Sequence, residues 1–149
     1  MEKEFKYKEY LNKYKNCPGK DFAEKDFECF RWVHEQPSER NFLPVPFMRN
    51  VAPRKLENND EGCEHYCLSV YKDLKSARDA YKNICDKALR EEFVEKFKSN
   101  IGEYAAQLQI EKNDGVADMP NNRTGHFSFY EYTDCKLSDK IKGIFNIFV

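Results

Sequence analysis

Between residues 73 and 110 the apolar residues change their period once, and that change commits the chain to a helical segment followed directly by a strand. Leu74, Ala77, Tyr81, Ile84, Cys85 and Ala88 recur at helical spacing, and Leu89, Phe93, Phe97 and Ile101 continue the stripe. Asp73 stands where an N-cap belongs and Gly102 where a helix stops. Tyr104, Ala106, Leu108 and Ile110 then alternate with Glu103, Ala105, Gln107 and Gln109, the period of two of a half-buried strand. The stripe fits one long helix or two joined near Asp86.

Three more strands follow from the same alternation. Over 28–34, Phe30, Trp32 and His34 share one face and Cys29, Arg31 and Val33 the other. Over 65–71, Tyr66, Leu68 and Val70 alternate with Cys67, Ser69 and Tyr71; over 126–132, Phe127, Phe129 and Glu131 alternate with Ser128, Tyr130 and Tyr132. Tyr7, Tyr10, Leu11 and Tyr14 predict a short helix within 4–15, and Ser138 with Ile141, Ile144, Phe145 and Phe148 predicts a last one. A chain of 149 residues buries roughly two thirds of its unfolded surface in one core. The expected fold is therefore a single α+β domain over residues 1–149: a mostly antiparallel sheet, the long helical segment packed on one face, and short terminal helices.

Charge and cysteines narrow the function classes. Lys plus Arg number 25 and Asp plus Glu 26, so no global field gathers a polyanion, and nucleic acid is not expected as an obligate ligand. The basic, aromatic stretch Lys6-Tyr7-Lys8 to Lys13-Tyr14-Lys15 is diluted by Glu4 and Glu9 and reads as a solvated helix face. The first ten residues hold no apolar stretch of the kind a signal sequence needs, and no later one could span a membrane, so a soluble cytoplasmic protein is expected. The six cysteines are spread thinly through a chain able to build its own core, and are expected to be mostly reduced and buried.

No high-specificity catalytic motif is present. A Gly-x-Ser-x-Gly turn and a Gly-rich phosphate cradle are both missing, and no cysteine lies in a nucleophile signature. Cys63, His65 and Cys67 would share one strand face as metal ligands, but a second ligand pair at zinc spacing is lacking, so no metal is expected. The loop 36–62 carries four prolines, is closed by the polar turn Glu57-Asn58-Asn59-Asp60-Glu61-Gly62, and is too long to be structureless without a role. It adjoins a strand carrying the only Trp. The leading expectation is a binding or interaction module that meets a protein partner through this loop and strand face, with Trp32 and Phe42 as anchors and no cofactor.

Arg31, His34, Ser69, Tyr71 and Glu131 remain as polar residues on aromatic-rich strands. Across 28–132 their element order resembles that of ADP-ribosyltransferase-type enzymes. The resemblance implies an alternative activity, cleavage of NAD or transfer of ADP-ribose. It would make Arg31 and Ser69 cofactor-binding, with Arg31 or His34 anchoring the dinucleotide and Ser69 and Tyr71 contacting the ring, and Glu131, Tyr71 and His34 catalytic. The family's glycine after the anchoring residue is absent here. Separately, Arg31-Trp32-Val33-His34 and Asn41-Phe42-Leu43-Pro44 resemble segments of small bacterial proteins, which implies no activity. Against any site reading, Arg31 is equally able to pair with Glu131 or Glu103 across strands, and Trp32 with Phe30 to serve as core anchors.

Overall fold

The structure is a computed structural model and describes residues 3–49 and 56–148. Among these, six strands form one sheet in the order β4-β5-β2-β1-β3-β6, every neighbouring pair antiparallel. They are β1 (Phe27–Val33), β2 (Leu68–Tyr71), β3 (Tyr104–Ile110), β4 (Gly115–Ala117), β5 (His126–Glu131) and β6 (Ile141–Asn146). The helices are α1 (Lys8–Leu11), α2 (Val45–Met48), α3 (Asn59–Glu64), α4 (Leu74–Lys87) and α5 (Glu91–Ile101), with 3-10 turns at Glu39–Phe42 and Leu137–Lys140. This is the α+β architecture expected from the two periods.

The helical stripe is broken. α4 ends at Lys87 because Ala88 turns to an extended backbone, and Leu89 at the break stands fully in solvent instead of continuing the stripe. Asp73 caps α4, its carboxylate accepting from Ser76 N at 2.7 Å. α4 and α5 pack on the face that carries Phe30, Trp32, Tyr71 and Ala105, where Ala77 and Tyr81 are buried completely. Ile84, which the stripe placed with them, is only half-buried and lines a cavity. The opposite face holds Cys29, Val33, Leu68, Val70, Ala106, Leu108, Phe127 and Phe129 in a second cluster, closed by Phe42 and Leu137 from the two 3-10 turns.

Four local readings are corrected. The predicted C-terminal helix is a 3-10 turn and then β6, which pairs Ile144 with Ala106 and Phe145 with Ala105. Its apolar spacing fits a helix, but the free edge of β3 offers a ladder of backbone partners that outweighs local propensity. The N-terminal helix shrinks to Lys8–Leu11, with Leu11 and Tyr14 buried under it. The polar run before Cys63 is no turn: Asn58 caps α3 by accepting from Glu61 N, and Gly62 lies so close to the Tyr14 ring that any Cβ would collide with it. The strand expected over 65–71 starts only at Leu68.

The last correction concerns Cys63, His65 and Cys67. Cys63 ends in α3 and is disulfide-bonded to Cys17, while Cys29, Cys67, Cys85 and Cys135 are free. Among the described residues no three His, Cys, Asp or Glu side chains are grouped to hold a metal ion. The bridge fastens α3 to the N-terminal segment, and three other contacts hold α3 and the residues before it to the N-terminal segment and to β5. Asn59 exchanges two hydrogen bonds with the backbone of Lys15, the Tyr14 hydroxyl accepts from Leu56 N, and the Tyr130 hydroxyl donates to the Cys63 carbonyl. With a sequence separation of 46, the bridge restrains the unfolded chain by about 4 kcal/mol in the chain-entropy picture. Dithiothreitol should therefore lower the denaturant midpoint yet leave one cooperative transition, because the other three contacts persist. Disappearance of that transition on reduction would show that the bridge alone holds α3.

Candidate functional site

β1 and β2 are paired only at Phe30 and Tyr71. Beyond that pair the strands part, and the Arg31 side chain fills the fork. Its Nε donates to the Asn41 carbonyl at 2.8 Å, Nη1 to the Ser69 carbonyl at 2.9 Å and Nη2 to the Leu43 carbonyl at 3.3 Å. The guanidinium thereby ties the loop after β1 to β2, satisfying one carbonyl of β2 and two of the loop. Arg31 is buried, and burial weakens its hold on the proton while the field of Glu131 strengthens it.

His34 and Asn41 complete this joint. The Asn41 carboxamide accepts from Ser38 N through Oδ1 and donates through Nδ2 to His34 Nδ1 at 2.9 Å, which leaves His34 Nε2 to donate to the Ser99 carbonyl at 2.8 Å. His34 is thus a strut between the 3-10 turn and the end of α5. Phe42 is buried in the core on the far side of the sheet and is no exposed anchor.

A cavity of about 1050 Å³ opens at the fork, where residues from both faces of β1 reach it between α5 and the 36–62 loop. Its floor is Arg31, Trp32, Ser69 and Tyr71; one wall is Arg40, Val45, Met48 and Arg49 of the 36–62 loop, and the other is Phe93, Lys96 and Phe97 of α5. Residues 50–55 of that loop lie outside the described residues. Trp32 is held by a bond from Nε1 to the Ala77 carbonyl at 2.9 Å and stacks on Tyr71 with ring centroids 5.3 Å apart. Burial pushes the Tyr71 phenol up to about 12, with Arg31 opposing the rise. A smaller cavity of about 490 Å³ adjoins it and shares Glu64, Cys67 and Ser69, adding Asp118, His126 and Ser128.

Of the residues singled out in the sequence, Arg31, Trp32, Ser69 and Tyr71 meet at one cavity, while His34, Phe42 and Glu131 are not among its lining. Glu131 lies with Phe127 and Phe129 on the opposite face of β5 from His126 and Ser128. There Lys6 Nζ donates to Glu131 Oε2 at 2.7 Å and to the Cys135 carbonyl at 2.8 Å. Burial raises the Glu131 carboxyl above the ordinary range, with Lys6 and then Arg31 opposing, and Oε1 accepts no hydrogen bond of ordinary geometry. The buried Cys135 thiol beside it is pushed up to about 12, which removes it as a nucleophile.

Sequence reasoning passed over His126 as a partner for Ser69. Its Nε2 lies 3.0 Å from Ser69 Oγ, and its ring meets Tyr71 edge to face at 5.5 Å. The signal was the strand pairing itself, since Tyr71 stands directly across from His126. Comparison of the chain with protein families, with curated proteins and with solved structures finds no match. None of the helices in the described residues is long and apolar enough to cross a membrane.

Proposed function

We propose that the protein is a binding module whose ligand occupies the cavity between the 36–62 loop and the β1–β2 strand face, and that the ligand is a small anionic molecule with an apolar or aromatic body. One observation carries this reading: Arg31 is buried at the cavity floor with carbonyl partners only, and among the described residues no carboxylate lies within ion-pair distance of it. The carboxylate whose field it feels, Glu131, is already bonded to Lys6, so two cations share one buried anion. A buried guanidinium in that position is stabilised by an anion delivered from the cavity. Arg40, Arg49 and Lys96 add positive charge around the walls, outnumbering Glu61 and Glu64, and the aromatic floor suits a planar or greasy body.

Trp32, the single Trp, reports on the cavity directly. Titration with 8-anilinonaphthalene-1-sulfonate should quench Trp32 saturably, whereas neutral N-phenyl-1-naphthylamine should bind more weakly. Arg49→Gln and Lys96→Gln should each weaken the sulfonate by about two- to fivefold, the scale of an exposed charge contact. Equal binding of the charged and neutral probes, with no effect of either substitution, would sink the anionic-ligand reading.

The dinucleotide alternative draws support from the convergence of Arg31, Ser69 and Tyr71, and NAD is itself an anionic aromatic ligand. The position of Glu131 on the other face of β5 argues against its role as the carboxylate of such a reaction. NAD belongs in the same titration: quenching without nicotinamide release fits a binder, and release that depends on Glu131 fits the enzyme.

A further inference from the structure

We propose that Ser69 and His126 form a nucleophile–base pair and that the protein hydrolyses carboxylic esters whose apolar acyl or aryl part lies in the Arg31 cavity. The proposal rests on the cavity accepting anionic, apolar-bodied ligands as described above, and adds a reaction to it.

Ser69 is the one exposed residue of β2, on a strand otherwise buried. It stands where the two cavities meet, and its hydroxyl is 3.0 Å from His126 Nε2. That is the reach a base needs to take the proton of an attacking hydroxyl. His126 is held in place by a turn with few degrees of freedom. Asn121 Oδ1 accepts from the backbone of Arg123 and Thr124, Thr124 Oγ1 accepts from His126 N, and Gly125 adopts φ 74°, where a Cβ would collide with Ser76. The turn also bonds to the residue that follows β2, Lys72 N donating to the Gly125 carbonyl. Nothing else among the described residues hydrogen-bonds to the His126 ring. Among the described residues the ring's only hydrogen-bond partner is therefore the serine.

The surroundings suit the chemistry. Burial holds the His126 imidazole below its ordinary range, so at neutral pH Nε2 can accept a proton, while the fields of Asp118 and Glu64 favour the imidazolium once it forms. Arg31 donates through Nη1 to the Ser69 carbonyl, and three of its five N–H groups are spent on carbonyls, leaving one on each Nη. Of the cations lining this cavity it is the one bonded to Ser69, and so the one set to meet the oxyanion of a tetrahedral intermediate.

The steps balance with water as the only co-reactant. Ser69 Oγ bonds to the ester carbonyl carbon as its proton passes to His126 Nε2. Collapse breaks the bond from carbon to the alcohol oxygen, and His126 returns the proton to the departing alkoxide. Water then attacks the acyl-serine, giving its proton to His126, and collapse frees the carboxylic acid while Ser69 Oγ recovers its proton.

A fluorophosphonate probe reports the same pair, since Ser69 Oγ must displace fluoride from phosphorus while His126 takes the hydroxyl proton. The expected result is one adduct on the peptide containing Ser69, with slow hydrolysis of p-nitrophenyl butyrate. Ser69→Ala should abolish both, and His126→Gln, with His126→Asn as a second choice should it fail to fold, should slow labelling by about 10²-fold or more. Lack of an adduct on Ser69 in the wild-type protein overturns the assignment, as does a labelling rate indifferent to His126. Quenching of Trp32 by the anilinonaphthalene sulfonate, measured on the same sample, separates this failure from failure of the binding reading, because Ser69 chemistry is not needed for that quenching.

Discussion

Lys6→Met should lower the stability of the protein by about 3 kcal/mol at neutral pH, the lower end of the cost of removing one partner from a buried ion pair. The Lys6 side chain is 29% exposed and that of Glu131 only 2%, so the lysine can return to water but the carboxylate cannot. Burial already raises the Glu131 carboxyl in the folded state, so ionising it costs stability. This penalty is absent below the ordinary carboxylate range, where folded and unfolded chains are both protonated, and it grows as pH rises through the folded-state pKa. Loss of Lys6 enlarges the penalty by removing the strongest contact that opposes it. The Lys6→Met deficit should accordingly be large at pH 7 and shrink near pH 4, and Glu131→Gln in the same chain should recover most of it. Urea denaturation of the single and double variants at both pH values checks this. A deficit independent of pH, or one that Glu131→Gln leaves untouched, would show that Lys6 acts through packing alone.

This pair also marks the limit of what the strands disclosed. Alternation within 126–132 correctly grouped Glu131 with Phe127 and Phe129, and that parity alone separates it from Ser128 and Tyr130. What alternation within one strand leaves open is which face meets Trp32 and Tyr71. That depends on the pairings of Phe30 with Tyr71 and of Tyr71 with His126, both contacts between residues far apart in sequence. The same non-locality hid β6, whose residues fit a helix as well as a strand until β3 presents its edge, and β4, three residues too few to show a period. The β3 alternation and the α4 stripe were legible because each carries its own period over seven residues or more. Arg31, Trp32, Ser69 and Tyr71 were legible for a related reason, as polar or aromatic side chains on strands with unequal faces. Their convergence was not, since it arises where two strands stop pairing. His126 escaped for lack of any local pattern, being one strand end set beside another.

The wall that α4 and α5 give the cavity depends on Tyr81 more than on any residue of the lining. Tyr81 is fully buried, and its ring meets Trp32 at 5.1 Å, Phe97 at 4.9 Å and Phe148 at 5.5 Å. Its hydroxyl donates to the Gly102 carbonyl, and burial raises the phenol well above its ordinary range. Gly102 itself adopts φ 88° and packs against the Val33 carbonyl with no room for a Cβ, so this one hydroxyl anchors the turn between α5 and β3. Tyr81→Ala should therefore cost about 3–5 kcal/mol, the range for deleting a buried aromatic ring. That is about a fifth or more of the roughly 5–15 kcal/mol that a domain of this size holds in reserve. Tyr81→Phe should cost about 1–3 kcal/mol, because it keeps the ring contacts and leaves only the Gly102 carbonyl without its donor. Trp32 fluorescence follows both unfolding transitions from the neighbouring ring. A midpoint for Tyr81→Ala close to that of Tyr81→Phe would mean that the ring cluster contributes little, and that α5 is held to the sheet by the Gly102 turn instead.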